Sequence, residues 1–94
     1  MFYTYIAECA DGSLYTGWTH DLEKRMDAHN TGNGAKYTRN RGPIRLILAW
    51  SFPSNNEAMS WEYKIKKLPR AKKLQLRTGT LDCDNPNAVL VSKI

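Results

Sequence analysis

Polar residues interrupt two apolar stripes in this sequence. Leu22, Arg25, Met26 and His29 recur at i, i+3, i+4 and i+7, the spacing of a helix face turned to a core. Ala58, Trp61, Glu62 and Ile65 repeat the pattern, although Lys64, Lys66 and Lys67 mark where that second helix meets solvent. Burying a lone charge is costly, so such groups are normally paired or bind a metal. The structural reading is an Arg25–Glu62 ion pair, or long side chains reaching water at the edge of the stripe. The chemical reading adds Tyr5 and Tyr15 from an upstream segment, because Tyr, Arg, His and Glu are the groups phosphodiester hydrolysis requires. Pattern and residue type conflict on both helices, and such local conflicts collect at functional sites.

Charge points the same way. The chain of 94 residues has a net charge of +5. Between His29 and Leu81 the only acids are Glu57 and Glu62, against cations that include Lys36, Arg39, Lys64, Lys67, Arg70 and Lys73. These six are candidates for holding nucleic acid, the commonest partner of such a basic stretch. A solvated basic helix without a partner is the plainer alternative. No apolar run is long enough to span a bilayer, and MFYTYIAE lacks the features of an export signal, so a cytoplasmic protein is expected. Cys9 and Cys83 lie far apart, with no metal-ligand spacing, and are expected to be reduced thiols.

The elements that must position these residues follow from local chemistry. YTYIAECADGSLYTGW (3–18) reads as a β-hairpin. A two-residue loop at Asp11-Gly12 pairs Tyr5 with Trp18 and sends Tyr5 and Tyr15 to opposite faces. A three-residue loop, Ala10-Asp11-Gly12, pairs Tyr5 with Gly17 and Ala7 with Tyr15, which puts both phenols on one face. The hairpin sequence admits either. Thr19 or Asp21 can cap a helix to about Asn30, and residues 30–43 read as a loop. RLILAWSF (45–52) is a buried strand, and Ser54 to Glu57 is a capping box for a helix to about Lys67. Pro69 is expected to start a further helix at its first position, ending near Gly79. Beyond it lies a tail in which Val89-Leu90-Val91 could add an edge strand. The order β-β-α-β-α-α predicts a small α+β domain over residues 1–78, with helices flanking an antiparallel sheet and a tail over 79–94.

Tyr3-Thr4-Tyr5, then Tyr15-Thr16-Gly17, then Arg25 and His29 on one helix and Glu62 on a later one, resemble the GIY-YIG nuclease domain. The resemblance covers about residues 2–77. It is closest to small stand-alone bacterial members, through TGNGAKYTRNRGP and WEYKIKKLPRAKK. It implies a three-stranded antiparallel sheet flanked by helices, one active site holding both tyrosines, and therefore the three-residue loop.

The resemblance further implies a metal-dependent endonuclease that hydrolyses DNA phosphodiester bonds, with low sequence specificity and a leaning towards single-stranded or branched DNA. A binding module that keeps the fold with little catalysis is the alternative. By position, Glu62 would be the ligand of a single Mg²⁺ (or Mn²⁺), Arg25 would hold phosphate oxygens and Tyr5 would accept a proton from water. Tyr15 would orient Tyr5 or the phosphate, and His29 would relay the proton or be the base itself. The partner would be DNA, or RNA, with tight specificity left to a protein partner. Tyr3 stands where the family has glycine, and Thr4 and Thr16 replace isoleucines. Trp18-Thr19-His20 falls where many members place a lysine. Several members also use a late asparagine, and the spacing does not choose between Asn85 and Asn87.

Overall fold

The computed structural model describes residues 1–30, 43–75 and 85–93. Strands β1 (Phe2–Glu8) and β2 (Leu14–Thr19) form the hairpin. The Cys9 amide donates to the Ser13 carbonyl at 2.8 Å, the Gly12 amide to the Cys9 carbonyl at 2.9 Å, and Gly12 has φ +84°. This is the three-residue loop, with glycine taking the left-handed position that side chains resist. Asp11 fixes it by accepting from the Ser13 amide and hydroxyl. Tyr5 accordingly faces Gly17 and Ala7 faces Tyr15. Both phenols leave the same face of the sheet.

Strand β3 (Arg45–Phe52) pairs with β1, and β4 (Val89–Lys93) pairs with β3, giving an antiparallel sheet in the order β2-β1-β3-β4. The α+β class holds, but the sheet has four strands where three were expected. The far edge of β3 offers backbone groups for pairing, and β4, with β-branched Val89 and Val91, satisfies them.

Helix α1 (Leu22–Asn30) uses both of its candidate caps. Asp21 accepts from the Lys24 amide at 3.1 Å, while the Thr19 hydroxyl accepts from the Asp21 amide at 3.1 Å. At its other end the Asn30 side chain bonds both backbone groups of Ile44, tying the helix to the start of β3. The segment expected to be a loop, 30–43, falls largely outside the described residues. Helix α2 (Asn55–Lys66) is capped by Ser54, which accepts from the Glu57 amide and donates to the Glu57 carboxylate. Helix α3 (Arg70–Gln75) starts one residue later than expected. Pro69 stands just outside it, its carbonyl accepting from the Lys72 and Lys73 amides. The expected end near Gly79 lies outside the described residues, as does Cys83.

Strand alternation divides the core between the two faces of the sheet. Ile6, Leu48, Trp50 and Phe52 meet Ala58, Trp61 and Ile65 of α2. Tyr5, Ala7, Cys9 and Ala49 form the second cluster, against which Leu22 and Met26 of α1 pack. Cys9 is a buried free cysteine. Thr4, on the α2 face, donates its hydroxyl to the Ala58 carbonyl at 2.6 Å. That bond fixes α2 against β1 one turn before Glu62.

Candidate active site

Tyr5 is fully buried, and its ring crosses the sheet to lie over Gly17. A Cβ on Gly17 would stand 2.6 Å from the Tyr5 hydroxyl oxygen and 3.0 Å from Cε2 of Tyr15. Glycine is required here by close approach rather than by backbone angle. Gly17→Ala is expected to cost about 1–3 kcal/mol through overpacking and to push the Tyr5 hydroxyl away from its partners. A thermal melt, with the His29 ring signals followed by NMR, measures both. Unchanged His29 signals at an unchanged melting temperature would contradict this packing.

The partners of that hydroxyl come from α1. Tyr5 Oη lies 2.8 Å from His29 Nε2, and Arg25 Nε donates to Tyr5 Oη at 3.3 Å. A guanidinium can only donate, so the phenol oxygen accepts from Arg25; with His29 as the Nδ1–H tautomer, the phenol proton goes to Nε2. Tyr15 completes the cluster, its ring edge-on to His29 at 5.3 Å between centroids and tilted to Tyr5 at 6.2 Å. Tyr15, after Tyr5, helps to hold Arg25 protonated. One turn of α1 separates Arg25 from His29, and both reach the Tyr5 hydroxyl.

Electrostatics sets the protonation of each group. Burial is the largest cause that pushes the Tyr5 phenol up to about 12, against the lowering effect of the Arg25 hydrogen bond. His29 is moved the other way, by burial first and by the Arg25 charge second. Arg25 is held more firmly protonated, chiefly by its hydrogen bond to Tyr5. At neutral pH the site therefore contains a neutral phenol, a neutral imidazole and a guanidinium. Burial outweighs the nearby Arg25 charge at Tyr5.

Glu62 belongs to α2, with 19% of its side chain exposed, and its charge is among the causes that raise Tyr5. Its ion pair among the described residues runs to Lys66 at 3.7 Å, not to Arg25. The structural reading of Arg25 and Glu62 as mutual partners is thus not the arrangement found. No three His, Cys, Asp or Glu side chains among the described residues converge on a metal site. A single carboxylate still fits Mg²⁺, which keeps several waters and shares its remaining positions with substrate phosphate. It does not fit zinc, which takes three or four protein ligands.

A hollow of about 180 Å³, lined by Thr19, His20, Asp21, Lys24, Arg25 and Ala28, opens on the Arg25 side. A larger one, about 490 Å³ between Tyr3, Leu22 and Val91, touches none of the site groups. Of the expected nucleic-acid contacts, Lys64 is exposed on α2, Lys67 is exposed at its C-cap, and Lys73 is half-buried on α3. Lys36, Arg39 and the side chain of Arg70 lie outside the described residues. Neither late asparagine reaches the site, because Asn85 and Asn87 both donate to Glu57, at 3.1 and 2.8 Å. Lys66 was not among the expected residues, although its i, i+4 spacing from Glu62 was a legible signal.

The chain is similar to known proteins. Residues 1–75 match the family described as the GIY-YIG catalytic domain. The UPF0213 protein BH0048 of Halalkalibacterium halodurans is 60% identical over 74 residues, 79% of each chain. The UPF0213 protein CPE1444 of Clostridium perfringens is 60% identical over 76 residues, 81% of this chain and 82% of its own. The solution structure of BH0048, titled as from Bacillus halodurans, superposes with a TM-score of 0.56 at 56% identity, over 85% of this chain and 86% of that one. That of EF2693 from E. faecalis gives 0.54 at 38% identity, over 88% and 90%. With the hairpin, the Arg25–His29 helix and the Glu62 helix all inside the matched span, the chain belongs to the GIY-YIG family of nuclease domains.

Proposed function

We propose that this chain is a metal-dependent endonuclease that hydrolyses DNA phosphodiester bonds with low sequence specificity, favouring single-stranded or branched DNA. The observation that carries this reading is the phenol of Tyr5 held between an imidazole nitrogen and a cation, His29 Nε2 at 2.8 Å and Arg25 Nε at 3.3 Å. A phenol pushed up to about 12 is a poor base by itself at neutral pH. It becomes an effective one by giving its own proton to His29 as it takes one from the attacking water. His29 is suited to this because burial and Arg25 keep it neutral. Arg25 holds phosphate oxygens as charge grows on them, and Tyr15 orients both partners. Glu62 is the residue to hold Mg²⁺ or Mn²⁺, which when bound would stabilise charge on the phosphate and the leaving oxygen. Lys64, Lys67 and Lys73, with Lys36, Arg39 and Arg70, are proposed to bind the phosphate backbone, and a protein partner to add specificity.

The test is cleavage of labelled single-stranded, duplex and forked DNA by the purified chain, with Mg²⁺ and with EDTA. Metal-dependent cleavage is expected, and DNA binding without cleavage would leave only a binding module. The relay also fixes a pH profile. His29 has its pKa lowered, so cleavage should be constant above the ordinary histidine value of about 6.5 and fall only below it. A profile still rising between pH 8 and pH 10, on the order of tenfold per unit, would instead point to a free tyrosinate or metal-activated water.

A further inference from the structure

The outer face of α2 carries groups that the proposed chemistry leaves unused. Tyr63 follows Glu62 directly, is 61% exposed, and has Lys67 Nζ 4.2 Å from the centre of its ring. Lys66 stands beside Lys67 and reaches to 3.7 Å from Glu62. Lys73 of α3 is close enough for its pKa to be lowered by the charge of Lys66, after the larger effect of burial. Of the acids of α2, Glu62 meets this cluster at Lys66. Glu57 is engaged by Ser54, Asn85 and Asn87. An exposed aromatic ring among ammonium groups suits a ligand that is both flat and anionic.

We propose that Tyr63, Lys66 and Lys67 form a nucleotide subsite, in which an unpaired base stacks on the Tyr63 ring and its phosphate lies between the two lysines. The proposal rests on the nucleic-acid reading above and gives it a structural basis for preferring unpaired strands. Bases in a duplex are already stacked on each other, so only an unpaired one can use the ring. Lys66 places the subsite beside Glu62, so an unpaired nucleotide bound there lies next to the reacting phosphate rather than at a remote patch.

The experiment needs no cleavage. Fluorescence anisotropy at low salt in EDTA compares a labelled single strand with a duplex of equal length, using the full chain. Tyr63→Ala should weaken single-strand binding about tenfold, within the range for loss of one stacked base. Duplex binding should stay within about twofold, since the lysines supply it. Tyr63→Trp should restore or tighten single-strand binding. Alanine is the better helix former, so loss of the fold is not expected, and circular dichroism verifies it. Unchanged single-strand affinity, or equal losses on both DNAs, would overturn the subsite while leaving the nuclease reading in place. Polyglutamate that displaces DNA with an affinity dependent on Tyr63 would overturn it in favour of an acidic protein partner. If the parent chain binds neither DNA, both proposals fail together.

Discussion

Tyr5→Phe is expected to lower cleavage by about 10²–10⁴-fold, the range for loss of a positioned acid–base group, while DNA binding persists. One oxygen is removed and the ring remains, still lying over Gly17 in the space that glycine leaves. The relay loses its central atom, since water then has no phenol to pass its proton through to His29. Stability should fall by about 1–3 kcal/mol, because a buried hydroxyl bonded to His29 and Arg25 disappears and leaves their polar atoms short of a partner. That is a fraction of the roughly 5–15 kcal/mol that keeps a small domain folded. Thermal melts and single-turnover cleavage should therefore separate, with a modest shift in the first and a large loss in the second. Parent-level cleavage by the phenylalanine variant would remove Tyr5 from the chemistry and leave it a packing residue.

The same side chain marks how far the sequence could be followed. Arg25 and His29 were legible because a helical period of 3.6 put them in an apolar stripe, and the structure turns that stripe onto the Tyr5 hydroxyl. The hairpin sequence admitted two registers, because Asp11-Gly12 suits either loop. What distinguishes them is long-range in effect: Tyr5 needs the empty space at Gly17, and only the three-residue loop puts it there. The protonation of Tyr5 is not legible in the sequence for a related reason. A sequence displays neighbouring cations but not the depth of burial, and burial prevails. Thr4 read only as a strand former, because its partner, the Ala58 carbonyl, lies 54 residues away. The asparagines were ambiguous until the structure placed both on Glu57. Strand β4 was only a possible edge strand, since Val89, Leu90 and Val91 are all exposed and show no inside–outside alternation.

Glu62 is where the structural and chemical readings predict the most different outcomes. Glu62→Gln is expected to abolish metal-dependent cleavage while leaving stability nearly unchanged and DNA binding intact. Its ion pair is with half-exposed Lys66 at 3.7 Å, and such helix-surface pairs are worth only about 0–1 kcal/mol. Loss of that pair cannot unfold the domain. Glu62→Met, similar in volume and a good helix former, should be neutral or stabilising by roughly 1 kcal/mol, because a charge beside Trp61 and Ile65 is replaced by an apolar group. Had the carboxylate neutralised a buried Arg25, either change would cost about 3 kcal/mol or more by stranding that charge. Geometry argues otherwise, since Arg25 donates to Tyr5 and Glu62 pairs with Lys66. Arg25 therefore keeps its partners in both variants. Melts of the two variants, run beside cleavage assays in Mg²⁺, test the assignment. Intact folding with lost cleavage identifies a carboxylate kept in an apolar stripe for its chemistry, against the preference of the fold. Strong destabilisation, with no metal-dependent cleavage by the parent, would make Glu62 a structural residue and withdraw it as metal ligand.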